Sequence, residues 1–375
     1  MKTIYILVPT TNYKTDQVTS ETKDNHLNLQ VATSEYGRDE NDKELKNVLT
    51  KMGREYVLLH TTLDNYSNLF VNMTEEERKN ITVLNFCDGT EKDTFPGISV
   101  IKHLDKLKMN YSGSNETFFE TSSSKIKMKQ LFDKAKVPTA PWSIVSGSES
   151  KEQIEEKLKN ITYPAILKPD NSYCSCGINI DSVVFNAEQA LKQIQKLEKT
   201  FVTVFVEKFI AGREFTCLVT GHCSEPQRAT LSGCEKQRSC FSMSGSKKYG
   251  IETYEVLERV FDTNLPKHEQ FISVDMFWQL NRKTTNDEFW YKHAPNELQD
   301  KLQNIAEHAY NAVGGNGYAR VDMRMDENKN IYVLEVNAQC GISGDSESII
   351  GKILEYTARP FTYLIESFIE YAENR

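Results

Sequence analysis

Several familiar functional classes are missing from this chain. Eight cysteines are present, but no two form a C-x₂-C pair and no histidine lies at zinc-ligand spacing from one. That excludes the common structural zinc sites. Cys174-Ser-Cys176 reads as small thiols in a glycine-containing loop, in preference to a redox or metal pair. No apolar run approaches the length of a membrane span. Ile4 to Val8 gives only five apolar residues before Pro9, too few for the core of a signal peptide. The expectation is a cytoplasmic protein with free thiols. A net charge of −8 leaves no basic surplus for coating nucleic acid or an anionic membrane. Any triphosphate must therefore meet a local basic pocket. Internal repeats and low-complexity tracts are also lacking.

What is there is an ordinary globular composition, 39% hydrophobic and 26% charged, over 375 residues. That length supports a large core and two or three domains. The most informative stretch is Tyr318 to Asn337: YARVDMRM, DENKN, IYVLEVN. Polar residues at 326–330 favour a tight reversal, so the segment reads as a β-hairpin. With the turn centred between Asn328 and Lys329, Asp322 faces Glu335 and Arg320 faces Asn337. Residues two apart on a strand share a face. Facing carboxylates repel unless something compensates, and a hard cation does so. Asp, Glu and Asn oxygens suit Mg²⁺ bound together with substrate phosphates. A solvated edge hairpin is the alternative, but Val321, Met323, Ile331, Val333, Leu334 and Val336 make both strands apolar enough to be buried.

Upstream, strands are expected at 2–8, 56–60 and 81–86, with a helix at 41–51, the alternation of a parallel α/β sheet. Residues 11–40 are polar and aperiodic, either disordered or a substrate-contacting lid. Helices are expected at 98–108, 122–136, 152–158, 187–197, 295–313 and 361–371. Lys125 and Lys129 lie on one face of the second of these, a pattern that is usually a solvated face. Strands are expected at 163–169, carrying Lys168, and at 201–205. The loop DNSYCSCG (170–177) has only one glycine and alone reads as a surface turn. Residues 221–300 are the least legible, with FISVDMFW (271–278) expected as a strand.

Read in order, YSGS (111–114), KVPTAPW (136–142), YPAILKP (163–169), VEKFIAGREFT (206–216), GNGYARVDM (315–323) and VLEVNAQCGISGDS (333–346) resemble the ATP-grasp fold, closest to D-alanine–D-alanine ligase-like enzymes. The likeness covers about residue 80 to the C-terminus. It implies an α/β (α+β) architecture: an N-terminal parallel domain (1–110) and two ATP-grasp subdomains (111–200 and 201–375) sandwiching ATP. It implies that Lys125 and Lys168 contact the phosphates under a loop containing Cys174 and Ser175. Glu207, Lys208, Phe209 and Ile210 would line the adenine slot, and Glu214 would hold the ribose. Asp322, Glu335 and Asn337 would bind two Mg²⁺ ions, with Mn²⁺ able to substitute. Arg320 and the Gly341 backbone would stabilise an acyl phosphate and its oxyanion, and Ser346 would meet a substrate.

The implied activity is ATP-dependent ligation of a small carboxylate to an amine, with ADP and phosphate released and a homodimer possible. A nucleotide-binding regulator and a small-molecule phosphotransferase are the alternatives. Three departures bear on the substrate. Val8-Pro-Thr-Thr-Asn12 replaces the family's amine-gripping Gly-rich motif, so D-alanine is not assigned. Phe277 stands where a phosphate-contacting lysine is usual, with Lys247, Lys248, Arg282 or Lys283 as possible substitutes. Tyr173-Cys-Ser-Cys-Gly177 replaces a glycine-serine loop. Residues 235–290 read as either a closing lid or a disordered insertion.

Overall fold

The computed structural model describes residues 2–10, 38–89, 91, 95–173, 175–222, 250–274 and 289–375. The expectations for residues 11–37, Cys174, Lys247, Lys248, Phe277, Arg282 and Lys283 fall outside these residues.

The first apolar runs build a parallel sheet. β1 (Thr3–Pro9), β2 (Tyr56–Thr61) and β3 (Ile81–Asn85) pair in the order β2-β1-β3. The helix Arg38–Lys51 joins the first two strands and buries Leu45, Val48 and Leu49. These pack with Ile4 and Ile6 of the central strand and with Ile365 and Phe368 of the C-terminal helix Phe361–Glu373.

A second, antiparallel sheet follows, in the order β4-β7-β5-β6: β4 (Trp142–Val145), β5 (Ala165–Pro169), β6 (Val183–Val184) and β7 (Val204–Lys208). Helices Lys151–Leu158 and Ala187–Leu197 cover one face, with Ile154, Leu158, Ile194 and Leu197 packed on Leu167, Val204 and Val206. The strand expected at 201–205 starts later because the Phe201 N–H is spent on the Leu197 carbonyl (2.9 Å), closing the preceding helix.

The third sheet holds β8 (Arg213–His222), β9 (Glu252–Thr253), β10 (Leu257–Phe261), β11 (Phe289–His293), β12 (Asn316–Met325) and β13 (Ile331–Ala338). Its order is β11-β10-β8-β12-β13, with β9 on β8. Val321 and Met323 face the helix Asn296–Ala312, where Leu302, Ala306 and Ala309 meet them in the core. The two-residue alternation then turns Arg320, Asp322 and Arg324 the other way.

Two expectations are corrected. The helix expected at 122–136 starts only at Lys125 and runs to Ala135, and a separate helix, Glu116–Ser122, precedes it. Ser124 divides them because its hydroxyl caps the second helix, accepting from the Lys127 N–H (3.1 Å). Phe271 to Val274 form no strand. Instead Phe271 stacks edge-on against Phe209 and the Val274 N–H donates to Ile178 O (2.8 Å), which ties this segment to the second sheet's loop.

Candidate active site

The hairpin register is as its side chains require, with Asp322 opposite Glu335 and Arg320 opposite Asn337. Beyond that point the register shifts. Met323 pairs with Val333, leaving Leu334 as the extra residue of a bulge. The turn is consequently one residue tighter, with the Asp326 N–H bonded to Asn330 O (2.9 Å). β8 lies on the other side of β12 and pairs Thr216 with Asp322 and Glu214 with Arg324. One face of the third sheet is therefore a grid of polar side chains, and it forms the floor of a cleft of about 910 Å³.

Asp322 is the most heavily bonded member of the grid. Arg320 grips it through Nε (3.0 and 3.3 Å) and Nη2 (3.0 Å). Thr216 Oγ1 donates to its Oδ1 (2.7 Å) and Asn337 Nδ2 to its Oδ2 (2.9 Å). The same amide lies 3.3 Å from Glu335 Oε1, so a single donor sits between the two opposed acids. Glu335 also pairs with Lys125 Nζ (3.0 Å). Burial alone would raise the Glu335 carboxyl, but Lys125 and Lys168 outweigh it and hold the group at about 2.

The donor chemistry fits a hard divalent ion. Two carboxylates and one amide converge here, and among the described residues no group of three His, Cys, Asp or Glu side chains is placed to hold a metal by itself. Such a sparse oxygen set suits Mg²⁺ completed by phosphate oxygens and water.

Across the cleft, the second sheet contributes Lys168, whose Nζ lies 2.6 Å from Glu207 Oε1. Lys208, Phe209 and Ile210 line the same wall, as do Ile166 and Ile178, while Leu334 of β13 lines the cleft from the third sheet. This leaves an apolar slot beside a row of cations, the shape a purine with a phosphate tail requires. Ser175, at φ +58, lines the cleft and donates from Oγ to Ile272 O (2.9 Å). Gly341 also lines the cleft. Neighbouring Cys340 is buried, which pushes its thiol up to about 12 and leaves it protonated at neutral pH.

Two placements differ from simple expectation. Ser346 is exposed and off the cleft wall, whereas Ser348, two residues on, lines it and caps the helix Ile349–Tyr356 by accepting from the Gly351 N–H (2.9 Å). Glu214 does line the cleft, but its carboxylate is held between Arg259 and Arg324, the latter at 3.0 Å. Reading from residues alone missed Thr216, Arg259, Arg324 and Ser348. Arg324 continues the two-residue spacing of Arg320 and Asp322, and Thr216 stands two beyond Glu214, so period-two counting would have found both. Nothing local marks Arg259.

The family model for the D-ala D-ala ligase C-terminus matches residues 131–271 and 262–370. The chain belongs to the D-alanine–D-alanine ligase family. A D-alanine–D-alanine ligase from Lactococcus lactis subsp. cremoris (strain SK11) is 26% identical over 278 residues, 73% of this chain and 68% of that protein. One from Thermoanaerobacter sp. (strain X514) is 27% identical over 275 residues, 72% and 65%. Among solved structures, the D-alanine–D-alanine ligase from Bacillus anthracis complexed with ATP aligns over 99% of this chain and 97% of its own, with TM-score 0.62 and 18% identity. The Coxiella burnetii ligase aligns over 100% and 96%, with TM-score 0.62 and 15% identity. At these identities the structural likeness speaks for the fold, which is ATP-grasp. The family match covers the second and third sheets, the two that make the cleft. Among the described residues, no helix is long and apolar enough to cross a membrane.

Proposed function

We propose that this protein is an ATP-dependent carboxylate–amine ligase that joins a small carboxylic or amino acid to an amine, releasing ADP and phosphate. The observation that carries the proposal is the grid of Arg320, Asp322, Glu335 and Asn337 on one sheet, facing Lys125 and Lys168 across a single cleft. The reading is supported by family membership and by an ATP complex in a relative of the same fold.

Lys125 and Lys168 are the cations that meet the triphosphate, and the slot lined by Phe209, Ile210 and Leu334 takes the adenine. Glu207 turns its carboxylate to the lysines, so its contribution to the base is through the backbone. Glu214, fixed by two guanidiniums, keeps lone pairs to accept from ribose hydroxyls, since a carboxylate offers about four acceptor sites. Asp322, Glu335 and Asn337 would hold Mg²⁺, which when bound supplies charge neutralisation on the transferring phosphoryl group. Arg320, which lines the cleft together with Gly341, offers a fork of donors to the oxygens of an acyl phosphate and to the oxyanion formed when the amine attacks. Closing the site against water protects that anhydride from hydrolysis.

The test is phosphate release with ATP, Mg²⁺ and a panel of acids and amines, with mass spectrometry of the products. An amide product with stoichiometric phosphate is expected. ATP binding without any product across the panel, or a stable phosphorylated acceptor in place of an amide, contradicts the reading.

A further inference from the structure

The helix Lys125–Ala135 carries two lysines one turn apart, and each grips an acid on a different sheet. Lys125 reaches Glu335 on β13. Lys129 reaches Glu207 on β7, and both of these side chains are 1% exposed. Lys129 Nζ also lies 2.6 Å from Thr139 Oγ1, and that hydroxyl donates to Val333 O on β13 (3.1 Å). The other oxygen of Glu207 is 2.6 Å from Lys168, which is 14% exposed and lines the cleft. Glu207 is thus a buried carboxylate between two ammonium groups, one inside the protein and one at the cleft wall.

We propose that Lys129 is a positioning residue for the nucleotide: it neutralises Glu207 from within and so leaves the charge of Lys168 available to the triphosphate. This inference rests on the ATP-dependent reading given above. The physical reason is charge balance at a site of low dielectric. A carboxylate between two ammoniums carries a net positive charge, and the member facing the cleft presents it. Without Lys129, Glu207 and Lys168 form a closed neutral pair, and the attraction for a phosphate at that position falls away. In a partly buried setting two charges about 4 Å apart interact by several kcal/mol before screening, so the change is large enough to measure. Burial lowers the pKa of the Lys129 ammonium, and Glu207 works against that shift. Burial by itself would raise Glu207, but the two lysines hold it below the usual carboxylate range, so it is an anion that must be balanced.

The test is titration of ATP into wild type, K129M, E207Q and the double variant K129M/E207Q, with melting temperatures recorded for each. K129M is expected to weaken ATP binding roughly tenfold, the size of coupling seen between contacting charged groups. Once Glu207 carries no charge, Lys129 has nothing to balance, so the double variant is expected to bind ATP within about threefold of E207Q. A purely structural lysine would not show this dependence on Glu207. If K129M does not fold, E207Q against K129M/E207Q still decides: equal affinities support the proposal. K129M binding as wild type does, or costing the same in the E207Q background, overturns it. A wild type that binds no ATP overturns both this inference and the functional reading, whereas ATP binding indifferent to Lys129 removes only this one.

Discussion

Arg320 holds Asp322 with three contacts, and this fork is what distinguishes it from a simple positive charge. Lysine at this position keeps the charge but cannot keep two directed donors on one carboxylate while serving an oxyanion. Arg320→Lys is expected to lower kcat by roughly 100-fold with little change in the KM for ATP, measured as phosphate release at saturating nucleotide. A second residue-scale prediction concerns Glu258, on the opposite face of the same sheet. Arg213 grips it through Nε (2.6 Å) and Nη2 (2.7 Å), and Lys292 adds a contact at 3.4 Å. Burial raises the carboxyl, but Arg213 and then Lys292 bring it below its ordinary 4.5. A depressed folded-state value means the stabilisation is complete above about pH 4.5 and disappears as pH falls through the lower, folded value. Glu258→Gln is therefore expected to cost about 1.5–3 kcal/mol at neutral pH. The gap to wild type should close in strongly acidic buffer, as read by denaturant melts across pH. A gap that persists or widens in acid would contradict the assignment.

The hairpin is the element on which the site depends, and its seat is glycine. At Gly317 the backbone has φ +88, and a methyl group there would run into the Gly113 backbone. The YSGS turn and the start of β12 can touch only because Gly317 carries no side chain. Gly317→Ala is expected to cost about 1–3 kcal/mol through backbone strain alone, visible as a lowered melting temperature. The hairpin was also the most legible element in the sequence, because burial on one face and charge on the other write a two-residue period that survives without any tertiary context. The facing of Asp322 and Glu335 followed from counting through the turn. The bulge at Leu334 did not, since nothing in IYVLEVN marks which residue is extra. β10 and β11 were missed because Leu257–Phe261 and Phe289–His293 draw their strand character from pairings distant in sequence, β10 with β8 and β11 with β10, and Arg259 went unseen with them. The helix break at Ser124 was hidden because Ser122, Ser123 and Ser124 are all competent caps. Ser346 came from the resemblance alone, and only the start of the helix Ile349–Tyr356 brings Ser348 to the cleft.

At the scale of the whole molecule, the cleft has one wall from the antiparallel sheet of β4 to β7 and one from the sheet of β8 to β13. Among the described residues, side chains already join them without a ligand: Lys125 Nζ reaches both Ser172 O (3.1 Å) and Glu335 (3.0 Å), and Arg324 Nη1 reaches Ile210 O (2.8 Å). A nucleotide that contacts both walls adds crossings, and binding to the folded state raises stability by mass action, about 2.7 kcal/mol at a hundred times the dissociation constant. The acids that would meet a divalent ion are already neutralised from inside, by Lys125, Arg320 and the Asn337 amide. An ion arriving alone must compete with those partners and brings no new crossing, so Mg²⁺ by itself is expected to move the melting temperature little. ATP with Mg²⁺ brings phosphates that engage Lys125 and Lys168, releases the acids to the ion and ties the walls together. The shift for the two together should exceed the sum of the separate shifts, and chelation should return it to the value for ATP alone. A large shift with Mg²⁺ alone, or strict additivity, would mean that the acid pair and the lysines act as separate sites instead of one platform.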